Sequence, residues 1–452
     1  AAPFSSFPSR AVPWRITGAL MKTSKGWNHM RMMLAQPRGA GLQTVRRYVW
    51  RLLLLGALLA GPARAQLITS NDWAVGYSLP TQSAEVFLKG EYVIRDMLLA
   101  GINRLSNGNS AAIATFTFSG DSTETGAAGP ILQALDHALD RGAKVHFVVD
   151  SAVKRFKEYT PGLSLTRLSK RRRNPLVLSV SPRNSLMHHK VAIFDYGPSN
   201  RWVLVASGNF TGAANMNQWN IALLARNEEL YGAFAAEMAE FKARRFGAQK
   251  QQQHDRTNFR LQDSWGTCWV RFGPYPKGTN GAVNAETDIR RLIHDAEEEI
   301  YFSMHRFNRV PLRRDLVAAA NRGIKVVGVI PESDRGTNLF ATSKATARYF
   351  ADPANYTGTN RVVLLPARAS AISDAWDSGE PDLVHTKYAI IDPNGRRPFV
   401  VHGAANWTIS GLVAPDGNDE NVLILRHRDI AQAFLAHFQR VTATTPPPKP
   451  AE

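Results

Sequence analysis

The chain has 452 residues, of which 44% are hydrophobic and 20% are charged, a composition that excludes a largely disordered protein and allows two to three domains. The formal net charge is +18, but residues 1–65 hold ten lysines and arginines and no acidic residue, so the rest carries only +8. That excess is compatible with a polyanionic partner but does not identify one. The single cysteine, Cys268, excludes an internal disulfide.

Residues 1–65 have the pattern of a bacterial leader with a secretory signal peptide. Three arginines precede or begin the apolar run at 52–60, and Ala63-Arg64-Ala65 forms a small-residue cleavage site before Gln66. The run has nine residues, fewer than the roughly 20 that a membrane-spanning helix needs. We therefore expect an exported protein, periplasmic or secreted.

The remaining sequence contains the same series of secondary-structure elements twice. Hydrophobic periodicity predicts helix, strand, helix and strand in each half, at residues 86–103, 111–118, 131–139 and 143–149, and again at 286–298, 300–304, 312–320 and 324–330. A glycine follows the later helix of each series, Gly142 or Gly323, as is typical of a left-handed residue after a helix end. Alternating elements of this kind indicate an α/β fold.

A motif with histidine and lysine two residues apart follows in each half. It occurs as His188, Lys190 and Asp195, and again as His385, Lys387 and Asp392. Residues i and i+2 of a strand point to the same side, so each histidine shares a face with its lysine. The aspartates have the opposite parity and lie at the ends of the predicted strands. We therefore predict that Asp195 and Asp392 are structural.

Each motif precedes a turn of small residues that ends in an asparagine, Asn209 or Asn406. Small residues let the backbone approach a ligand, and the asparagine amides can donate to phosphate oxygens. Two such half-sites facing each other would form one phosphodiester site, in which one histidine attacks phosphorus and the other protonates the leaving oxygen. The lysines would neutralise the phosphate oxygens. No metal ion or other cofactor is therefore expected.

The doubled motif resembles that of the phospholipase D superfamily, which has two H-x-K-x(4)-D motifs, each followed by a G-S-x-N-like turn. The resemblance covers about residues 80–440 and points to a bacterial exported member. It implies two similar α/β domains, each a mixed β-sheet flanked by helices, related by a pseudo-twofold axis with the active site at their interface. It also implies metal-independent phosphodiester cleavage or transfer through a phosphohistidine, with His188 as the nucleophile.

The chain departs from the family pattern at the turns. Ala206 stands where glycine is usual, and Ala404 stands where serine is usual. In the family a downstream carboxylate often orients a histidine, and Glu420 fits that place in the second half. The comparable first-half segment, residues 218–220, contains no acid. This inequality leaves open which histidine is the nucleophile.

The duplication also predicts the domain boundaries. The first phospholipase D-like domain is expected over 66–246, a polar linker over 247–263, the second domain over 264–443, and a disordered Pro-rich tail over 444–452. The second half has about 16 additional residues within 331–384, for which we expect an irregular loop near the mouth of the site.

Two substrate classes stay open. The exported two-domain arrangement favours hydrolysis or head-group transfer on phospholipids at a membrane surface. The alternative is an exported nuclease that cleaves DNA or RNA, and a third reading is a polyanion-binding pseudoenzyme. A single chain holds both motifs, so we expect a monomer with no obligatory protein partner. The candidate substrate contacts are a basic cluster and two tryptophans beside the turns: Arg171, Arg172, Arg173, Trp219 and Trp407.

Overall fold

The computed structural model describes most of the chain after the predicted leader. The described residues are 66–69, 72–78, 93–118, 128–151, 163–184, 186–212, 214, 218–261, 267–275, 284–331, 341–365 and 383–443. The predicted leader and the predicted tail, residues 1–65 and 444–452, lie outside them. In the described part of the chain, no helix has the length and apolar character needed to span a bilayer.

Two β-sheets form the framework. The first contains β1 (Gln66–Thr69), β2 (Trp73–Ser78), β3 (Ser110–Thr115), β4 (Lys144–Val149), β5 (Val177–Val180), β6 (Lys190–Asp195), β7 (Arg201–Ala206) and β8 (Gln218–Arg226). The second contains β9 (Arg256–Phe259), β10 (Cys268–Gly273), β11 (Glu299–Met304), β12 (Lys325–Val329), β13 (Val362–Leu364), β15 (Lys387–Ile391), β16 (Phe399–Gly403) and β17 (Glu420–Leu425). The short β14 (Leu383–Val384) comes from the second half but pairs with β8 of the first sheet.

The two sheets have the same strand order. It runs β1-β2-β8-β7-β6-β3-β4-β5 in the first and β9-β10-β17-β16-β15-β11-β12-β13 in the second. In each sheet the last three strands are parallel to one another, and the motif strand, β6 or β15, is antiparallel to its neighbours. The predicted fold class, two similar α/β halves with mixed sheets flanked by helices, is therefore confirmed.

Helices cover the faces of the sheets. They are α1 (Val93–Asn103), α2 (Ala128–Asp140), α3 (Leu165–Ser169), α4 (Glu228–Lys242), α5 (Ala285–His294), α6 (Val310–Asn321), α7 (Ala341–Ala351), α8 (Ile409–Leu412) and α9 (Arg428–Thr442). Strand β11 shows how its sheet is buried on both faces. Phe302 belongs to the core formed with α5 and α6, whereas the residue directly before it, Tyr301, faces the opposite side and packs on Phe438 of α9.

The predicted helix–glycine–strand units are present in both halves. Gly142 follows α2 with φ of 90°, and Gly323 follows α6 with φ of 95°. A side chain would be strained in this left-handed conformation, so glycine ends each helix and lets the chain turn into β4 or β12. In each half, the parallel strand that follows this turn consequently runs toward the end of the sheet at which the motif histidine lies.

Two stretches that lack clear periodicity are more regular than we expected. The predicted linker, residues 247–263, contains the 3-10 helix Gly247–Gln249 and strand β9, which pairs with β10. The predicted irregular loop within 331–384 contains α7 and β13. Both strands lie at sheet edges, where a short strand needs only one hydrogen-bonded neighbour. The other domain boundaries stay predictions.

Candidate active site

Both motif histidines lie just before the motif strands and are held by the opposite half. The backbone N–H of His188 donates to the carbonyl of Asp419 over 2.9 Å, and that of His385 donates to the carbonyl of Trp219 over 3.1 Å. Each histidine is 8% exposed. The same crossed pairing on both sides places the histidines together where the two halves meet.

The side chains are crossed in the same way. His188 Nδ1 lies 2.8 and 2.9 Å from the two carboxylate oxygens of Glu420, which begins β17 of the second half. Glu420 therefore pairs with the histidine of the other half and not with His385 of its own. A carboxylate accepts hydrogen bonds, so Nδ1 of His188 carries the proton and Nε2 faces the cleft with a lone pair.

Asn220 on β8 occupies the place of Glu420 in the other half. Its Oδ1 lies 3.1 Å from His385 Nδ1 and also accepts from the hydroxyl of Ser207 over 2.9 Å. Its Nδ2 donates to the carbonyl of Ala214 over 2.8 Å, which fixes the orientation of the amide. The acceptor that the other half offers to His385 Nδ1 is therefore a neutral amide oxygen, and the same nitrogen also lies 3.0 Å from Lys387 Nζ. A Cβ at Gly208 would lie 2.6 Å from the Asn220 side chain, so the turn must contain glycine there.

The motif lysines are buried beside their own histidines. Lys190 Nζ donates to the carbonyl of His188 over 2.6 Å, and Lys387 Nζ donates to the carbonyl of His385. Lys387 Nζ also reaches the carbonyl of Ser207 at 3.4 Å. Burial lowers the pKa of Lys190 to about 7 and that of Lys387 well below its usual range. A bound phosphate would restore both charges, so the lysines favour an anion at this position.

Burial also controls the protonation of the histidines and of Glu420. The pKa of His188 and that of His385 lie well below their usual range because both rings are buried and because the lysines repel a further positive charge. The pKa of Glu420 is raised to about 7 by burial, against the opposing effect of Lys190. In the empty site Glu420 therefore exchanges a proton near neutral pH, whereas His188 and His385 stay neutral there.

The turn asparagines are oriented by backbone groups from neighbouring strands. Asn209 Oδ1 accepts the N–H of Thr117 over 3.4 Å, and Asn406 Oδ1 accepts the N–H of Arg306 over 3.2 Å. These contacts commit the amide oxygens, which leaves each NH2 group to donate to a phosphate oxygen. The site thus offers amide donors from both halves in addition to the two lysines.

The motif aspartates lie at the far ends of β6 and β15 and make structural contacts. Asp195 accepts the N–H of Gly197 over 2.9 Å and pairs with Arg201 at 3.1 Å. Asp392 accepts three backbone N–H groups at 2.8 to 2.9 Å, from residues 297–299. A strand of five or six residues separates each aspartate from the histidine end by roughly 16 to 20 Å.

The structure does not bring the predicted substrate contacts to the cleft. Arg171 forms ion pairs with Asp136 and Asp140 of α2. Together with Arg172 and Arg173 it precedes β5, at the opposite end of the first sheet from the histidines. The prediction that this cluster contacts the substrate beside the histidines is therefore wrong. The cluster lies too far from them, and Arg171 instead attaches its loop to α2.

The two tryptophans are core residues. Trp219 is 2% exposed and packs edge-on against His437 of α9. Trp407 is 1% exposed and packs against Phe302 and Phe307. Neither ring walls a pocket, so the prediction that they do is corrected. Trp219 precedes Asn220 and Trp407 follows Asn406. Consecutive residues of an extended chain face opposite sides, so each tryptophan faces the core while its neighbour faces the site.

Sequence reasoning missed three residues near the motif histidines: Phe116, Asn220 and His305. The Phe116 ring centroid lies 5.1 Å from that of His188, and the His305 ring centroid lies 4.8 Å from that of His385. Phe116 directly follows β3, and His305 directly follows β11, the equivalent strand of the second half. Aligning the two halves by their strand order would have identified all three, whereas residue type alone gave no signal.

Comparison with known proteins now defines the family. The sequence pattern described as "Cardiolipin synthase, PLD-like domain" matches residues 102–242 and 289–442, which include both motifs. The chain belongs to this family of the phospholipase D superfamily. The resemblance stated from the doubled motif is thereby confirmed, and members of the superfamily act on phosphodiester bonds. No curated protein sequence matches the chain.

Two solved structures, a phosphatidylserine synthase and a polyphosphate kinase, support the same fold. Phosphatidylserine synthase from Haemophilus influenzae Rd KW20 is 12% identical with a TM-score of 0.52, over 77% of this chain and 84% of that chain. Polyphosphate kinase from Porphyromonas gingivalis is 14% identical with a TM-score of 0.50, over 85% of this chain. The chain spans about half of that kinase, 52% of its length. Nuc from Salmonella typhimurium, a phospholipase D family member, is 23% identical over 38% of this chain, with a TM-score of 0.28.

Proposed function

We propose that the protein is a metal-independent phosphodiesterase of the phospholipase D type that hydrolyses phospholipids or transfers their head groups through a phosphohistidine. The observation that carries this proposal is the crossed arrangement of the histidines, one backed by Glu420 and the other by Asn220. Two buried lysines and two oriented asparagines surround the same cleft. The phospholipid substrate is supported by the description of the family and by the likeness to a phosphatidylserine synthase.

The unequal partners assign the roles of the histidines. When Nε2 of His188 attacks phosphorus, its ring gains positive charge, and the carboxylate of Glu420 stabilises that charge. The neutral amide of Asn220 gives no such stabilisation to a protonated His385, so His385 is the stronger acid. We therefore assign His188 as the nucleophile and His385 as the general acid.

The reaction has two steps. In the first, His385 starts as the doubly protonated imidazolium, a form that the negative charge of the bound phosphodiester favours. A nitrogen–phosphorus bond forms at His188, the bond from phosphorus to the head-group oxygen breaks, and that oxygen takes the Nε2 proton of His385. In the second, His385 takes a proton from water or an alcohol, whose oxygen attacks phosphorus while the nitrogen–phosphorus bond breaks. His188 returns to its neutral form. Lys190, Lys387 and the asparagine amides neutralise the non-bridging oxygens in both steps.

The test compares His188→Asn and His385→Asn with the control His294→Asn, which changes an exposed histidine on α5. Phosphatidylglycerol vesicles with a labelled phosphate are incubated in EDTA, and the labelled phosphatidate formed and the labelled covalent enzyme intermediate are measured. Both motif variants should lose at least about 10³-fold in turnover, while the control retains activity. A substrate with a good leaving group should still label His385→Asn but not His188→Asn.

Three outcomes would count against the proposal. Loss of wild-type activity in EDTA would contradict the metal-independent mechanism. Turnover retained in both motif variants would contradict the site. Cleavage of plasmid or single-stranded DNA without any cleavage of phospholipid would replace the lipid substrate by a nucleic acid.

A further inference from the structure

The cleft is walled by different residues on the side of each histidine. Phe116 and His305 occupy equivalent positions, since the N–H of Phe116 donates to the carbonyl of His189 over 3.0 Å and that of His305 donates to the carbonyl of Thr386 over 2.9 Å. Each ring packs beside the motif histidine of its own half. A phenyl ring therefore lies beside His188, and an imidazole ring lies beside His385.

The hydrogen bond that His305 makes determines which of its two ring nitrogens carries the proton. Its Nδ1 lies 3.0 Å from the carbonyl oxygen of Val384, which can only accept a hydrogen bond. Nδ1 therefore carries the proton, and Nε2 is left with a lone pair on the opposite edge of the ring. Burial and the nearby charge of Lys387 keep the pKa of His305 well below its usual range. The neutral ring can accept a hydrogen bond from a hydroxyl group.

The next residue also differs between the halves. Thr117 and Arg306 both donate their backbone N–H to a turn asparagine, so they are equivalent in position. The guanidinium of Arg306 is half-buried and contributes to lowering the pKa values of His188, His305 and Lys387. Arg306 thus adds a positive charge to a cleft that already holds Lys387, and the first half has no charge at the same position.

We propose that His305 and Arg306 form a head-group subsite that accepts hydroxyl-bearing neutral or anionic head groups and excludes quaternary ammonium groups. This inference rests on the proposed function. The leaving oxygen takes its proton from His385, so the remainder of the head group lies on the His385 side. A glycerol head group can donate a hydroxyl to Nε2 of His305, whereas choline has no hydroxyl left after ester formation. The choline cation would also be repelled by Arg306 and Lys387.

The test uses one vesicle that contains equal amounts of phosphatidylglycerol and phosphatidylcholine with the same acyl chains. Both lipids then share one surface charge, and released glycerol and choline are measured together in EDTA. The wild-type protein should release glycerol at least about tenfold faster than choline, equivalent to a preference of about 1.4 kcal/mol. No product from either lipid would contradict the proposed function and this inference with it.

Two variants copy the first half onto the second. Arg306→Thr keeps the backbone N–H that binds Asn406 and should lower the glycerol-to-choline ratio about tenfold, chiefly by faster choline release. His305→Phe should slow glycerol release several-fold with little effect on choline. Arg172→Thr, which removes an exposed arginine at the far end of the first sheet, is the matched control and should leave the ratio unchanged.

The results separate this subsite from the chemistry itself. Equal glycerol and choline release by the wild-type protein would overturn the subsite while leaving the phosphohistidine mechanism in place. An unchanged ratio in folded Arg306→Thr and His305→Phe, verified by circular dichroism, would do the same. An equal loss of both products in Arg306→Thr would assign the arginine to the reacting phosphate and so contradict a role in head-group selection.

Discussion

The two halves place the same strands in the same order around the cleft, yet they present different side chains to it. The first half contributes Asn220 behind the opposite histidine, and the second half contributes Glu420. Beside the histidines the first half has Phe116, and the second has His305. In the mechanism we propose, the shared residues bind the phosphate, and the residues that differ distinguish the two sides of the bond that breaks.

This comparison shows how a duplicated fold can give two identical residues different chemistry. Each histidine belongs to one half but takes its Nδ1 partner from the other, so a substitution in either half changes the histidine across the interface. An acid on β17 therefore tunes His188, and an amide on β8 tunes His385. Under the proposed assignment, neither half by itself therefore contains both a catalytic histidine and its Glu420 or Asn220 partner.

The largest expected effect comes from making the two Nδ1 partners alike. Glu420→Gln should slow formation of the phosphoenzyme roughly 10²-fold, because the charge that stabilises the attacking ring is lost. Asn220→Asp is the reciprocal change and should extend the acid-dependent limb of the rate profile to higher pH, because a carboxylate raises the pKa of His385. Rapid-quench kinetics and pH–rate profiles measure both effects. An unaltered rate of phosphoenzyme formation in Glu420→Gln would contradict the assignment of His188 as the nucleophile.

A smaller effect should follow removal of the motif aspartates. Asp392→Ala leaves three backbone N–H groups without their acceptor and should lower the free energy of unfolding by about 2 kcal/mol. Asp195→Ala should cost less, because Asp195 is more exposed and binds one backbone N–H and Arg201. Urea unfolding measures the difference. A specific loss of turnover in either stably folded variant would show that the carboxylate has a catalytic role.

The smallest effect concerns the pH dependence of anion binding. Lys190 has a pKa of about 7 in the empty site, so it is neutral at higher pH and charged at lower pH. A bound phosphodiester raises that pKa, and protonation of Glu420 near pH 7 acts in the same direction. Affinity for dimethyl phosphate should therefore rise about tenfold as the pH falls from 8.5 to 6, with proton uptake.

Calorimetry in buffers of different ionisation enthalpy would count the protons taken up. Lys190→Arg keeps a positive charge at every pH tested and should weaken the pH dependence without abolishing it, since Glu420, His188 and His385 still titrate. Binding that does not change with pH in the wild-type protein would show that Lys190 and Glu420 keep constant charges in the empty site.

Local patterns were sufficient for much of the fold. The spacing of apolar residues predicted the helices and strands that became α2, β4, α6 and β12, because helix and strand periodicities are properties of consecutive residues. Gly142 and Gly323 predicted the helix ends for a similarly local reason. Strand β9 was not predicted, since an edge strand of mostly polar residues has no apolar alternation to reveal it.

The sequence by itself determined the duplication, the shared face of each histidine and lysine, and the opposite parity of each aspartate, because these follow from residue spacing along a strand. Only the tertiary structure decided which side chains surround the histidines. Glu420 is 232 residues from His188 and Asn220 is 165 residues from His385, and no spacing rule relates positions so far apart. Their pairing arises because the segment before each motif strand pairs with the other half, β14 with β8 and Met187 with Asp419.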